Sequence, residues 1–569
     1  MHPYAKVATQ AEPIPANSAE QARMPNRNRP WLESYRGIPF EIDPDKYRSV
    51  VHMLEDAMVR YADRPAFRCF RQTLTYADVD RLSAAFAAYL QAEVKVQRGD
   101  RIAVMLPNLP AFPIAMLGIL RAGGVQVNIN PLYTPRELEH QLTDAGCKVI
   151  VIFSGATSTL ASIIDKTSVS RVVTVNPGDG TATVLPSPPM DRRLAHTTSF
   201  AAALQAGLQQ TRTPLDLNGE DLIFLQYTGG TTGLAKGAAL THRNLVANVE
   251  QFKAMRADAL RDGEDVIVTA IPLYHIFALT VNLITYFSLG ADNWLVPDPR
   301  DLDGFVATLK AARPTEFSGV NTLFNALSMH PGIHDVDWSR LRYAGGGGAA
   351  VMATTSNRWE AITGRFIAEG YGLSETSPVV SMHPSCIERF TGTSGLPVPS
   401  TDIKLLGSNG YEVAPGQSGE ICVKGPQVMA GYWHKPEVNA VAFTADGYFR
   451  TGDIGQIDER GFLKIVDRKK DMVLVSGFNV YPNEVEAVAS ACPGVSECAC
   501  VGVPDEKSGE AVKIFVVMTA DATLTEADVI AHCRQALAAY KVPKVVQFVD
   551  ALPKNNVGKI LRRALRSDT

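Results

Sequence analysis

Cysteine, excess charge and long apolar runs are all scarce in this chain. Eight cysteines are scattered over 569 residues, at 69, 147, 386, 422, 492, 498, 500 and 533. That is too sparse for a disulfide scaffold and fits a reducing compartment. The one close pair, Cys498-Ala499-Cys500, lacks a second pair or a nearby histidine, so small apolar residues on a buried strand outweigh a metal site. A formal net charge of −4 gives no electrostatic footprint for nucleic acid, and no nucleic-acid partner is expected. The apolar run 111–120 stops at Arg121, well short of the roughly 20 residues a bilayer span needs. The first thirty residues carry Pro, Asn, Gln and Arg but no apolar core, which argues against a leader peptide and predicts a flexible arm over 1–30. A cytoplasmic protein is expected, with peripheral contact at the inner face of the cell membrane and a homodimer both left open.

What is present is a long chain with ordinary globular texture. An apolar content of 46% with 20% charged residues excludes a disordered polymer, and the length calls for two or more domains. From about 48 to 390, helical periodicity at 84–94, 135–145, 245–255 and 302–312 alternates with short apolar runs at 149–153, 222–226 and 266–271. Such alternation predicts mostly parallel sheet covered by helices. Over 402–466 short strand-like runs are split by turn signals such as Ser408-Asn409-Gly410, which reads as a small β subdomain. After the charged stretch 467–471 comes a compact α+β unit: helices 483–490 and 526–539, strands 497–503, 512–518 and 545–549. Thr525 and Asp528 form a capping-box pattern for its second helix.

Two segments far apart in sequence carry the chemistry. Tyr227-Thr228-Gly229-Gly230-Thr231-Thr232-Gly233-Leu234-Ala235-Lys236-Gly237 follows an apolar strand, so it leaves the carboxyl end of a sheet, where α/β proteins hold ligands. Its glycines let backbone approach phosphate oxygens, its threonines add hydroxyls and Lys236 adds charge. Ala235 and Gly237 flank the lysine where a Walker A loop would have Gly and Ser or Thr. The second segment is Pro553-Lys554-Asn555-Asn556-Val557-Gly558-Lys559-Ile560.

Together with Pro272-Leu273-Tyr274-His275-Ile276-Phe277, Tyr371-Gly372-Leu373-Ser374-Glu375-Thr376, Thr451-Gly452-Asp453 and Asp467-Arg468-Lys469-Lys470-Asp471, these segments resemble the motifs of the adenylate-forming (AMP-binding) enzymes. That superfamily includes acyl-CoA synthetases, luciferases and peptide-synthetase adenylation domains. The six motifs fall in the family's order from residue 30 onward. Asn130-Pro131-Leu132-Tyr133-Thr134-Pro135-Arg136-Glu137-Leu138-Glu139-His140, Gly319-Val320-Asn321-Thr322-Leu323-Phe324-Asn325 and Val475-Ser476-Gly477-Phe478-Asn479-Val480-Tyr481-Pro482 resemble the bacterial long-chain fatty acid–CoA ligases in particular.

The resemblance implies an α/β fold: a large N-terminal domain over 31–466, a hinge at 467–471 and a mobile α+β C-terminal domain over 472–569. It implies ATP, Mg²⁺ and CoA as cofactors, and a two-step reaction through acyl-AMP to an acyl thioester. Lys559 would touch the fatty carboxylate and the α-phosphate. Tyr227, Thr228, Gly229, Gly230, Thr231, Thr232, Gly233 and Lys236 would surround the phosphates, with Glu375 and Thr228 as the Mg²⁺ contacts. Tyr371 would lie against the adenine, with Gly372 and Thr376 of the same motif also cofactor-binding, Asp453 at the ribose hydroxyls and Arg468 nearby. Gly346, Gly347 and Gly348 would let backbone approach adenine and the acyl carbonyl. Lys470 matches the hinge position, and Gly477 a narrow pantetheine channel. His275 is divided between a core histidine and a guard of the carboxylate end of the acyl tunnel. Ala349-Ala350, where a larger residue and proline are common, leaves chain length open. A medium-chain or aryl acid ligase, an acyl-AMP ligase, a luciferase-like oxygenase and a catalytically silent sensor remain the alternatives.

Overall fold

The computed structural model describes residues 29–194, 197–228, 235–555 and 558–567. Residues 1–28 of the expected arm, and Gly229, Gly230, Thr231, Thr232 and Gly233 of the glycine-rich loop, lie outside the described residues.

Two large sheets make the N-terminal domain. One has nine strands, with the parallel set Pro65–Cys69, Asp292–Leu295, Val266–Thr269, Glu316–Gly319, Tyr343–Gly346 and Ile367–Gly372 at its centre and antiparallel strands at both edges. The other has eight, parallel from Leu222–Thr228 through Val125–Asn128, Arg101–Met105, Val149–Phe153 and Arg171–Val175 to Thr197–Ser199. Lys236–Thr241 turns back antiparallel on Leu222–Thr228, so the glycine-rich segment connects two adjacent strands.

The largest core lies between these sheets. It joins Phe67 and Leu74 of the first to Val104, Val151 and Phe224 of the second through apolar side chains of the helices Val50–Arg60, Tyr76–Tyr89, Ala111–Arg121 and His242–Met255. The helix Ala111–Arg121 is buried along its whole length, which explains its apolar sequence. Arg121 at its end is buried too, and meets Glu55 at 3.0 Å and Asp80 at 2.5 Å. No helix among the described residues is long and apolar enough to cross a membrane.

Helix ends follow local chemistry. Thr134 and Glu137 close a capping box at the start of Pro135–Ala145, and Gly146 ends it in the left-handed conformation. Thr525 and Asp528 do the same at the start of Glu526–Ala536. The helix expected over 84–94 begins earlier, at Tyr76, where Thr75 and Asp78 form a further box. Its last turn, Leu90–Val94, is π-helical and stops at Lys95 with φ of 64°.

A four-stranded antiparallel sheet, Asp402–Leu406, Gly419–Lys424, Phe449–Ile457 and Leu463–Arg468, forms the small β unit. The C-terminal domain holds a five-stranded sheet around Gly509–Met518, with Val495–Asp505 antiparallel and Val545–Phe548 parallel to it. Cys498 and Cys500 lie on that long strand in an apolar cluster with Val512, Val516 and Val529, the environment in which free cysteine packs as a small hydrophobe.

Candidate active site

The motif residues gather where strands end. Thr228 closes Leu222–Thr228, Gly346 closes Tyr343–Gly346, and Tyr371 and Gly372 close Ile367–Gly372. These are carboxyl ends of largely parallel sheets, where backbone leaves the ladder and side chains converge on a crevice.

Glu375 sits in a short 3-10 turn, Ser374–Thr376, directly after the third of these strands. Its side chain is buried, 7% exposed. Oε1 accepts a hydrogen bond from the Tyr432 hydroxyl at 2.7 Å and a longer one from Thr228 Oγ1 at 3.4 Å. Lys236 Nζ lies 4.6 Å from the centre of the Tyr432 ring, a cation–π distance. Tyr432 therefore ties together a carboxylate and a cation from two other segments. Thr376 takes no part in that cluster through its hydroxyl, which bonds the carbonyl of Pro378 at 2.5 Å and accepts the Leu373 N–H at 3.0 Å. It stiffens the turn that presents Glu375. An added Cβ on Gly372 would come 2.2 Å from the Pro378 carbonyl oxygen, so only glycine fits the start of this turn.

Tyr227 is occupied elsewhere. Its hydroxyl donates to Asp144 Oδ2 at 2.7 Å, and Asp144 Oδ1 pairs with Lys435 at 2.5 Å. This arrangement fixes the strand end on which Thr228 is carried.

A second cluster spans the nine-stranded sheet and the small β unit. The Tyr371 hydroxyl donates to Asp453 Oδ2 at 2.7 Å, and Arg468 Nε lies 3.3 Å from Asp453 Oδ1. Asp453 and Arg468 are register partners on neighbouring antiparallel strands, so the sheet itself holds the ion pair. Both carboxylate oxygens are thereby aimed by protein groups.

Lys559 enters from the C-terminal domain. Burial, with the positive charge of Arg468 nearby, lowers its ammonium to about 8. Asp453 opposes that shift, and Arg562 and Lys470 add to it, so Lys559 lies within electrostatic reach of the Tyr371–Asp453–Arg468 cluster. His275 is lowered to about 4 by burial and then by the Lys559 charge, which leaves a neutral imidazole at ordinary pH. Its Nδ1 accepts the Phe277 N–H at 3.3 Å. The Lys559 segment is anchored by its neighbour, since Thr322 Oγ1 donates to the Gly558 carbonyl at 2.8 Å.

The glycines after Tyr343 serve close packing. A Cβ on Gly346 would meet Ile367 and Val351 methyls at 2.6 Å each, and one on Gly347 the Phe277 ring at 3.2 Å. Gly477 is expected to line a channel only after the small domain has rotated, and in this position it faces open space. A Cβ there meets nothing within 4 Å, and the demand for glycine is its φ of +85°. Phe478 beside it is exposed and stacks on Tyr540 with ring centres 4.9 Å apart.

Tyr432, Asp144 and Lys435 lie outside every motif and are joined to motif residues by long-range folding. Thr322 lies in the Gly319-Val320-Asn321-Thr322 run, a subgroup likeness that gives no sign of its contact with Gly558.

Relatives of known type share this organisation. Residues 54–433 match the AMP-binding enzyme family, and residues 484–559 match the AMP-binding enzyme C-terminal domain. A long-chain-fatty-acid–CoA ligase of Escherichia coli O6:H1 is 50% identical over 550 residues, covering 95% of this chain and 98% of that protein. The solved structure of the anthranilate CoA ligase AuaEII with anthranoyl-AMP superposes with a TM-score of 0.83 at 25% identity, over 93% of this chain and 99% of that one. ATP-bound MatB from Rhodopseudomonas palustris gives 0.79 at 32% identity, over 91% and 98%. The chain belongs to the AMP-binding enzyme family.

Proposed function

We propose that this protein is an AMP-forming long-chain fatty acid–CoA ligase. A carboxylate is a poor acyl donor because its oxygen is a poor leaving group. Attack of that oxygen on the α-phosphate of ATP forms acyl-AMP and releases pyrophosphate. The CoA sulfur then attacks the acyl carbon, AMP leaves with the bonding electrons, and the thiol proton goes to solvent. Half identity over nearly the full length of a ligase with that substrate class supports the reading.

The observation that carries it is the location of Lys559. Its charge is felt by His275, beside the apolar Ile276-Phe277 run, and Lys559 itself lies within electrostatic reach of Asp453 and Arg468. A single ammonium between those two clusters is where a carboxylate and an α-phosphate, both anionic, need positive charge. We assign Asp453, oriented by Tyr371, to the ribose hydroxyls, and neutral His275 to the wall around the acyl carboxylate. Lys236 and the loop before it would face the outer phosphates. Thr376 and Gly372 act by shaping the turn that carries Glu375.

Glu375 and Thr228 offer adjacent oxygens, one a carboxylate, on a buried wall. That suits a hard cation completed by phosphate oxygens and water. They would hold Mg²⁺, which neutralises phosphate charge when bound. Rotation of the small domain about 467–471 would exchange Lys559 for the Gly477 segment between half-reactions.

Purified protein incubated with ATP, Mg²⁺, CoA and a ladder of fatty acids tests the reading by product analysis. Acyl-CoA with AMP and pyrophosphate, best for long chains, is expected. Acyl-AMP without thioester, or preference for short or aromatic acids, would replace it with one of the other activities of the family.

A further inference from the structure

Arg562 follows Lys559 by three residues and opens the helix Arg562–Ser567. Its guanidinium is divided between two domains. Nε and Nη2 donate to the two Glu486 oxygens at 3.0 and 2.7 Å, and the Asn483 side-chain oxygen also accepts from Nη2. Glu486 and Asn483 lie on the helix Pro482–Ala489, in the same small domain as Arg562. Nη1, however, donates across the boundary to Asp467 Oδ1 at 3.1 Å. Asp467, the first hinge residue, is in the strand Leu463–Arg468, and its pairing with Phe449–Ile457 ties it to the large-domain side. It is 1% exposed. Its other oxygen accepts the Asn483 N–H at 2.8 Å, and Asn483 Nδ2 donates to the Val466 carbonyl at 3.1 Å.

These contacts straddle residue 470. A second crossing is Thr322 to Gly558, already described. The seam beside that second contact is loosely filled. Cavities of about 260 and 470 Å³ open there, both lined by Thr322 and Asn325 of one domain and Ser496, Glu497 and Thr519 of the other. The Arg562–Asp467 pair is a buried charged link across the same boundary. Because Arg562 and Glu486 share the small domain, its rotation would leave that pair intact and part the contact with Asp467.

We propose that Asp467 is a positioning residue, a latch that grips Arg562 and Asn483 to hold the small domain with Lys559 docked and so favours acyl-AMP formation over thioester formation. This rests on the two-step reading above. Asp467 touches no substrate in this account and acts only through the equilibrium between two domain positions.

Asp467→Asn keeps the shape and one acceptor oxygen while removing the charge. Three readouts test it in the full chain: pyrophosphate exchange for the first step, thioester formation from supplied acyl-AMP for the second, and trypsin cleavage after the exposed Lys469 and Lys470. The latch predicts that exchange falls about tenfold, the size of one coupled contact in a charge network. Thioester formation holds or rises, and cleavage quickens. Arg562→Lys, which keeps charge but not the fork, gives the same pattern more weakly. Equal loss in both steps with a lowered Tm would make the contact merely structural and overturn the proposal, as would no change in either. Wild-type protein with no exchange activity would defeat the ligase reading instead. The cleavage comparison would then still decide the latch, because slower or unchanged cutting of the variant contradicts it.

Discussion

Asp453 is held by its own sheet, whereas Lys559 is delivered by a neighbouring domain. Around Asp453 the geometry is fixed by strand register, a tyrosine hydroxyl and an arginine. Glu375 is equally bound into its surroundings by Tyr432 and a tight turn. Lys559 instead depends on a Thr322 contact to the preceding carbonyl and on the charge cluster around Arg562. In the proposed assignment the nucleotide side would thus be preorganised in the body of the protein, while the charge between the reacting anions would be supplied by docking. Loss of a body residue should harm every step that uses nucleotide. Loss of a docking residue should separate the two steps.

Among the body residues the largest effect is expected at Glu375. Glu375→Ala removes a buried carboxylate from its partners and the proposed Mg²⁺ contact, and acyl-AMP formation should fall by about 10²–10³-fold. Single-turnover assays over a range of Mg²⁺ would measure it. Unchanged rates at all concentrations would remove Glu375 from the site.

Next is the pH profile. Lys559 is lowered from 10.5 to about 8, so the folded enzyme loses this proton where the unfolded chain still holds it. kcat/KM for acyl-AMP formation, which reports free enzyme, should bend downward as pH rises through about 8, approaching tenfold per unit above it. Between pH 8 and 10.5 the unfolded chain binds more protons, so this group makes stability rise with pH while activity falls. A profile flat to pH 10 would contradict the docked, buried ammonium.

Tyr371→Phe deletes one hydrogen bond to a charged group and leaves Asp453 less well aimed. The KM for ATP should rise by about tenfold with a smaller change in kcat. The smallest effect belongs to Gly477→Ala. Its φ of +85° makes any side chain cost about 1–2 kcal/mol locally, which should slow thioester formation a few-fold and spare pyrophosphate exchange. Equal slowing of both would place Gly477 with the body residues.

Elements with strong local signals were legible in the sequence. The helices Pro135–Ala145 and Leu302–Ala312 match their expected spans because capping side chains and left-handed C-caps mark their ends. The helix Tyr76–Tyr89 starts eight residues before its expected span because its first turns, Tyr76-Ala77-Asp78-Val79-Asp80-Arg81, dilute the apolar period with charge. Motif residues such as Glu375 and Asp453 could be picked out by their family context. Partners outside the motifs could not. Tyr432 lies 57 residues from Glu375, and Asp144 lies 83 from Tyr227, and no local pattern predicts such pairings. The positive φ of Gly477 was equally hidden, because backbone conformation is invisible in composition.

The most direct test of a delivered charge is Lys559→Ala assayed separately for the two half-reactions. The account predicts that pyrophosphate exchange is lost while thioester formation from supplied acyl-AMP continues near the wild-type rate. Equal loss of both would contradict it, because Lys559 would then be a fixed part of one site rather than a group brought to it for the first step.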